Sequence, residues 1–321
     1  MRVPRTVVCI GALVLAATAF VPGAGAAPPE IARPGDAHIV DHVNMPVRGQ
    51  SPAGVPAQAK VGGGISSNGI SYRGGPVMNA DLGVNVYLIW YGDWANNTAT
   101  VILPTLITGL SGSTYYAINT TYYDSLKRTV PNVVNLKGQV SDSGAIVGRT
   151  NLSDGQINTI VTNAISSGAL GPADVNGVYF VLTSALNVTK SGFLTSYCGW
   201  HTHASIGGAD IKYSFVGNPG ANGACSVQTS VSPNDNVGAD AMASIVAHEL
   251  VEAATDPDLN AWYDSRGYEN ADKCAWTFGT TNTLSNGAKY NMVLGGPNGP
   301  KFLIQQNWLN ASGGKCVLSY P

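Results

Sequence analysis

The side chains of this sequence that could perform chemistry are concentrated in one short acidic segment. The chain of 321 residues contains four glutamates, Glu30, Glu249, Glu252 and Glu269, and the last three lie within 21 residues of one another. The window 248–272 holds seven acidic side chains and one Arg, which gives a net charge of −6. Because only 11% of the chain is charged, such a segment calls for a bound cation, unusual protonation or full exposure to solvent.

The motif HELVE, residues 248–252, places two candidate metal ligands on one face of a helix. His248 and Glu252 are four residues apart, so their side chains lie one above the other, and Glu249 borders the same face. In the related HExxH motif, this spacing brings two zinc ligands together and sets a Glu beside the metal-bound water. We therefore predict a zinc site with His248 and Glu252 as ligands and Glu249 as the catalytic general base.

The spacing leaves the third metal ligand open. Asp258 lies ten residues after His248, which is the offset of the third ligand in metzincins, but the glycine turn of that pattern is absent here. Glu269 and Asp272 lie 21 and 24 residues after His248, near the offset at which thermolysin-like zincins supply a third ligand. We favour Glu269 or Asp272 over Asp258, and a solvated acidic face is the alternative to any metal site.

A second group of candidate residues lies in the segment Cys198-Gly-Trp-His201-Thr-His203. On a strand, His201 and His203 point to the same side, so they could bind substrate or complete a metal site. Structural histidines that form hydrogen bonds near a disulfide are an equally good interpretation of this segment.

The elements that position these residues follow from the hydrophobic pattern. A period of 3.6 residues predicts helices over 153–166 and 237–255, and the second of these carries the HELVE motif. Apolar, β-branched runs predict strands over 84–91, 178–182, 211–216 and 301–307. We predict a single α+β domain of zincin type, with a mixed sheet and the HELVE helix at its centre.

The N-terminus has the pattern of an export signal. Residues 1–26 contain two Arg, an apolar run and a terminal Ala-Gly-Ala, and the run is shorter than the ~20 residues that span a bilayer. Residues 27–65, rich in Ala, Pro and Gly, predict a flexible leader, so the globular domain occupies residues 66–321. We expect a secreted, extracellular protein without a membrane span.

Cysteine number and net charge agree with export. Four cysteines follow the predicted signal: Cys198, Cys225, Cys274 and Cys316. An even number in an oxidising compartment predicts two disulfides with three possible connectivities, of which Cys198–Cys225 and Cys274–Cys316 join sequence neighbours. The cysteines form no close CxxC pair, which disfavours a four-cysteine zinc site.

A net charge of −2 without a polybasic run disfavours nucleic acid and anionic membranes as partners.

Several longer strings of this sequence resemble one family. IVAHELVEAATDPDLNAWYD and GPVMNADLGVNVYLIWYGDW, together with CGWHTH, SPNDNVGADAM, ENADKC and GPKFLIQQNW, are similar to the EXORDIUM or phosphate-induced proteins of plants and their microbial relatives. The resemblance covers residues 75–308 and implies an extracellular or cell-wall-associated protein. It also implies acids at Glu269 and Asp272 beside Cys274, whereas the family fixes no acid at Asp258.

Two functions are expected from these features. The first is a secreted zinc-dependent hydrolase, a zincin-like peptidase. The second is a non-catalytic extracellular signalling or binding protein with a structural metal site, and a cell-wall carbohydrate binder is a weaker third. The partner would be a peptide or a cell-wall component. No GxSxG elbow or P-loop is present to favour a serine hydrolase or a nucleotide-binding protein.

Overall fold

The computed structural model describes residues 42–50, 69–143, 151–185, 189–311 and 313–321. The predicted signal peptide, residues 1–26, and most of the predicted leader lie outside these residues, so the domain limits stay a prediction. Within the described ranges, none of the helices has the length and apolar character that crossing a bilayer requires.

The described residues contain many strands, several of them only two residues long, and three α-helices. The strands are β1 (Val43–Pro46), β2 (Ser71–Tyr72), β3 (Val84–Tyr91), β4 (Val134–Asp142), β5 (Asn151–Leu152), β6 (Gly177–Thr183), β7 (Thr189–Lys190), β8 (Tyr197–Ile206), β9 (Ala209–Gly217), β10 (Trp262–Tyr263), β11 (Asn282–Thr283), β12 (Lys289–Tyr290), β13 (Met292–Val293), β14 (Lys301–Phe302), β15 (Asn307–Leu309) and β16 (Lys315–Val317). The helices are α1 (Ala99–Leu110), α2 (Asp154–Ser166) and α3 (Val237–Thr255), with 3₁₀ turns at Tyr116–Thr121 and Asp272–Cys274.

Six strands form the central sheet, in the order β1-β8-β9-β6-β3-β4. Strands β4, β3, β6 and β9 are parallel, β8 runs antiparallel to β9, and β1 runs antiparallel to β8. Parallel neighbours require crossover connections, and α1 connects β3 to β4 while α2 lies between β4 and β6 in the chain. Strand β1 lies within the segment 27–65 and forms one edge of the sheet, where Val43 is paired with His201.

The strand side chains alternate between two apolar layers. Val84, Val86 and Leu88 of β3 belong to the core that contains α1 and α3, whereas Tyr87 and Ile89 belong to the core that contains α2. Successive side chains of a strand point to opposite faces of the sheet, so a strand that is apolar at nearly every position is buried on both faces. The sheet therefore lies between α2 on one face and α1 and α3 on the other.

Helix α3 has the boundaries predicted from the sequence. The Asn236 side chain accepts a hydrogen bond from the Ala239 N–H at 3.0 Å and so caps the N-terminus. Pro257, two residues beyond the last helical residue, cannot continue the helix. All but two of the helical residues are buried, so this helix lies in the interior.

The other predicted elements are confirmed with one exception. Helix α2 begins at a capping box in which Ser153 and Gln156 each accept a hydrogen bond from the other's backbone N–H. Strands β3, β6 and β9 contain the predicted runs. The run 301–307 was predicted as one strand, but it is divided between β14 and β15.

The predicted fold class, a single α+β domain of zincin type, is wrong. The described residues form a mixed α/β fold with one large sheet and few helices, and four of the six sheet strands are parallel neighbours. The prediction depended on the HELVE motif. Five residues of one helix determine which side chains share a face of that helix, but they carry no information about strand order.

Strand β8 packs so closely on helix α3 that only glycine fits at position 199. A Cβ atom on Gly199 would lie 2.6 Å from Ile245 Cγ2, 2.8 Å from Glu249 Oε1 and 3.1 Å from the Phe215 carbonyl oxygen. The missing side chain thus allows β8 to lie against the part of α3 that carries the HELVE motif.

We predict that Gly199→Ala destabilises the protein by about 1–3 kcal/mol, because the added methyl group overpacks this contact. Gly223→Ala is the matched control, since a Cβ there meets no atom within 4 Å. Urea unfolding of the two variants measures the difference. Equal free energies of unfolding would show that β8 and α3 are not in tight contact.

Candidate metal centre

Three parts of the chain bring six polar side chains into one buried group, here called the acidic cluster. Helix α3, strand β8 and the segment 269–272 contribute its members, which are His201, His248, Glu249, Glu252, Glu269 and Asp272. None of the six residues is more than 6% exposed. The cluster therefore lies in the protein interior, where charge is poorly solvated.

Two carboxylates converge on His248. Its Nε2 atom lies 3.1 Å from Glu252 Oε1 and 3.6 Å from Asp272 Oδ1, and it makes no hydrogen bond of normal geometry. A tetrahedral zinc ion with bonds of about 2.0–2.1 Å separates its ligand atoms by roughly 3.3 Å. The two distances from His248 Nε2 are close to this value, and the ligand atoms of His248, Glu252 and Asp272 all lie within 4.8 Å of one another.

Glu269, the other favoured third ligand, faces His201 instead. His201 Nε2 lies 3.2 Å from Glu269 Oε2 and 3.9 Å from Glu252 Oε2. His201 is 0% exposed, so in this conformation a substrate does not reach it. Its burial disfavours the predicted role in binding a substrate, and its hydrogen-bond contact with Glu269 fits both the predicted metal site and the alternative of a structural histidine.

His203 and Asp258 belong to a separate, partly exposed group. His203 Nδ1 lies 2.8 Å from Asp210 Oδ1, and Lys212 Nζ lies 2.7 Å from Asp210 Oδ2 and 3.2 Å from Asp258 Oδ1. The ammonium group of Lys212 thus compensates both carboxylates. Asp258, the alternative third ligand, contacts this lysine, whereas Asp272 contacts His248.

The acidic cluster itself has no such counter-charge. Among the described residues, the ion pairs that its carboxylates form are with His201 and His248, and no Lys or Arg takes part. Several of its atoms lack a hydrogen bond of normal geometry: Nδ1 of both histidines, both oxygens of Glu249, Oε2 of Glu252 and Oδ1 of Asp272. Buried charges without partners cost several kcal/mol each, so the cluster requires either cations or protons.

The pKa values show what the cluster does in the absence of a cation. Burial raises the pKa of Glu249 and of Glu269 well above the ordinary value, and it raises the pKa of Asp272 to about 7. Burial lowers the pKa of His201 to about 4. For His248, the neighbouring carboxylates outweigh the opposing effect of burial and raise the pKa well above its usual range. Without a metal, the carboxyl groups of Glu249, Glu269 and Asp272 therefore tend to retain protons near neutral pH.

Hydrogen bonds between backbone and side-chain groups attach the segment 269–272 to helix α3. The backbone N–H of Asp272 donates to Glu252 Oε1 at 2.9 Å, and the side-chain amide of Asn270 donates to the Val251 carbonyl oxygen at 3.3 Å. The Glu269 N–H donates to Asp272 Oδ2 at 3.3 Å. Asn270 is fully buried, and its role was missed because an Asn between two acids is ordinarily a turn residue.

Asp256 is a second residue that the sequence analysis did not single out. It is fully buried directly after helix α3, and its Oδ1 atom accepts hydrogen bonds from the backbone of Asn260 and Ala261. Burial raises its pKa to about 7, and its charge in turn raises the pKa of Glu269. Asp256 therefore shapes the loop that follows α3 and adds negative charge beside the cluster.

Both predicted disulfides are confirmed, and each is close in sequence to the cluster. Cys198–Cys225 anchors strand β8 three residues before His201, and Cys274–Cys316 anchors the chain two residues after Asp272. Since each bridge restrains the backbone beside one cluster residue, the bridges help to fix where these side chains lie.

Comparison with known proteins identifies one family. The family model described as "Phosphate-induced protein 1 conserved region" matches residues 70–318. This range includes the whole acidic cluster and all four cysteines of the disulfides. The family is not a family of zincins, in agreement with the corrected fold class, and no solved structure matches the chain.

Curated plant proteins are similar over most of their length. Protein EXORDIUM-like 3 of Arabidopsis thaliana is 31% identical in an alignment 280 positions long, which covers 74% of this chain and 80% of the relative. Protein EXORDIUM-like 5 of the same plant is 29% identical over 74% of this chain and 75% of its own. Protein PHOSPHATE-INDUCED 1 of Nicotiana tabacum is 26% identical over 73% of this chain and 83% of the relative. These names state no catalytic activity, so a peptidase function has no support from them.

We predict that the double variant Cys274→Ala/Cys316→Ala loses about 2–4 kcal/mol of stability, since the bridge closes a loop of 42 residues. Guanidinium unfolding under non-reducing conditions measures the loss. As the matched control, wild type and the double variant are compared again in dithiothreitol. Because the reductant opens the bridge in the wild type, the difference between their free energies of unfolding should shrink. An unchanged unfolding midpoint in the first comparison would contradict a restraining role for this bridge.

Proposed function

The chain belongs to the phosphate-induced protein 1 family, and from this premise we propose that it is a secreted protein whose core is held together by a buried zinc ion. The zinc ligands are His248, Glu252 and Asp272. The role of the ion is structural, and the protein acts outside the cell by binding, without catalysis.

One observation carries this proposal: the acidic cluster is buried, negatively charged and unmatched by any described Lys or Arg. A divalent ion supplies positive charge and gives two of the unpartnered atoms, His248 Nε2 and Asp272 Oδ1, a common partner. The binding free energy of such an ion then adds to the free energy of folding, because the unfolded chain does not preform the site.

The ligand types favour zinc. Imidazole nitrogen and carboxylate oxygen are both good zinc ligands, whereas Ca²⁺ and Mg²⁺ prefer sites made of oxygen alone. The distances of 3.1 and 3.6 Å from His248 Nε2 to Glu252 and Asp272 fit the small coordination sphere of a four-coordinate ion. The residue types and their spacing thus support the same metal.

Burial supports a structural role. Three protein ligands leave a fourth coordination position, which a catalytic zinc ion opens to water and substrate. Because His248 and Glu252 are at most 1% exposed, the ion would instead be enclosed in the interior. Secretion is supported by the signal pattern of residues 1–26 and by the two disulfides, which form in oxidising compartments. A cell-wall component is the partner class that a secreted protein of this plant-related family would meet.

A metal-dependent hydrolase is the second candidate, and Glu249 is the observation that favours it. Neither of its carboxylate oxygens makes a hydrogen bond of normal geometry, although the Met45 amide faces the side chain, and the group lies with His201 and Glu252. A carboxylate in this position could take a proton from metal-bound water. This function would require the centre to open to a substrate.

We predict that Asp272→Asn weakens zinc binding at least about 10-fold and lowers the melting temperature, because a charged ligand is lost. Asp258→Asn is the matched control, since Asp258 contacts Lys212 rather than His248. Elemental analysis after dialysis and thermal unfolding with and without EDTA provide the measurements. Equal zinc content in the two variants would contradict the proposed ligand set.

We predict that the secreted protein shows no chelator-sensitive hydrolysis of a mixed peptide library, and that Glu249→Gln changes no activity. The hydrolase function predicts the opposite, a loss of about 100-fold or more in Glu249→Gln, because Gln cannot accept a proton. Mass spectrometry of the library after incubation distinguishes the two outcomes. Peptide cleavage that disappears in the variant would overturn the non-catalytic role.

A further inference from the structure

The two carboxylate oxygens of Glu252 face different histidines, and from this arrangement we propose that the centre holds two divalent ions bridged by Glu252. The inference rests on the proposed function, which supplies the first ion at His248, Glu252 and Asp272. The second ion would be bound by His201 and Glu252, with Glu249 and Glu269 as the further carboxylates at this half-site.

The distances define two half-sites. Oε1 of Glu252 lies 3.1 Å from His248 Nε2, and Oε2 lies 3.9 Å from His201 Nε2. Each histidine has a further carboxylate of its own: Asp272 at 3.6 Å from His248 and Glu269 at 3.2 Å from His201. The ligand atoms of His248, Glu252 and Asp272 lie within 4.8 Å of one another, and so do those of His201, Glu249 and Glu252. Each half-site therefore has one imidazole, one oxygen of the shared Glu252 and further carboxylates: Asp272 at the first half-site, and Glu249 together with Glu269 at the second.

A bridging carboxylate fits the size of the cluster. In two-metal sites the ions lie about 3.5–4 Å apart, a distance at which one carboxylate can bind both with its two oxygens. Glu252 is fully buried, and its Oε2 atom has no hydrogen-bond partner of normal geometry. An ion at the first half-site leaves this oxygen unpartnered, whereas an ion at the second half-site binds it.

Charge balance also favours two ions. The four carboxylates of the acidic cluster carry −4 when ionised, and one divalent ion with neutral histidines leaves −2 in the interior. A second divalent ion brings this sum to zero, and among the described residues no Lys or Arg pairs with the cluster to do so. Glu249 groups with His201 and Glu252, with ligand atoms within 4.8 Å of one another, so its charge lies at the second half-site.

The test is a zinc titration of the secreted, full-length protein after removal of its metal by chelator. We expect two equivalents of zinc by isothermal calorimetry and by elemental analysis. His201→Gln and Glu269→Gln should each retain one equivalent, whereas the control Asp258→Asn should retain two. One equivalent in the wild type, unchanged in His201→Gln, would overturn the two-ion centre and leave the proposed function intact. No bound zinc at all would overturn both.

A second measurement does not depend on the variants folding. Wild-type protein loaded with Mn²⁺ should show an exchange-coupled electron paramagnetic resonance signal, because two ions about 4 Å apart interact through a shared carboxylate. The signal of isolated Mn²⁺ ions at full loading would overturn the proposal.

Discussion

The constraint on which the structure depends is that four carboxylates and two imidazoles lie together in the buried interior. Charge in such a place needs a counter-charge or a proton. Elsewhere in the structure this need is met in the ordinary way: Lys212 pairs with Asp210 and Asp258, and Arg128 pairs with Asp124. The acidic cluster lacks such a partner among the described residues, and this contrast is the physical basis for the proposed metal centre.

The fold is arranged around that cluster. Helix α3 is buried along almost its whole length, and strand β8 approaches it through the missing side chain of Gly199. The segment 269–272 is attached to the helix by hydrogen bonds to Glu252 and Val251. Two disulfides restrain the chain next to His201 and Asp272. Three sequence-distant segments thus meet at one place, and each is held there by a contact that does not involve a metal.

Local features of this arrangement could be predicted from the sequence, and long-range features could not. Helix α3 and the shared face of His248 and Glu252 follow from spacing and capping, and the presence of two disulfides follows from the even number of cysteines. Helix α1 was not predicted because Pro104 and its β-branched neighbours favour other conformations. The parallel order of the strands depends on pairings between residues far apart in the chain. The same is true of the contacts by which Asp272 faces His248 while Glu269 faces His201. The zincin-type prediction failed because it extended a helix motif to strand order.

The central claim is that a cation occupies the acidic cluster, and anomalous X-ray diffraction from crystals of the purified protein tests it directly. Data collected on both sides of the zinc absorption edge should show anomalous density between His248 Nε2, Glu252 and Asp272. Zinc-edge density absent from this position, with the carboxylates drawn together into short hydrogen bonds, would show that protons compensate the charge. That result would contradict the account.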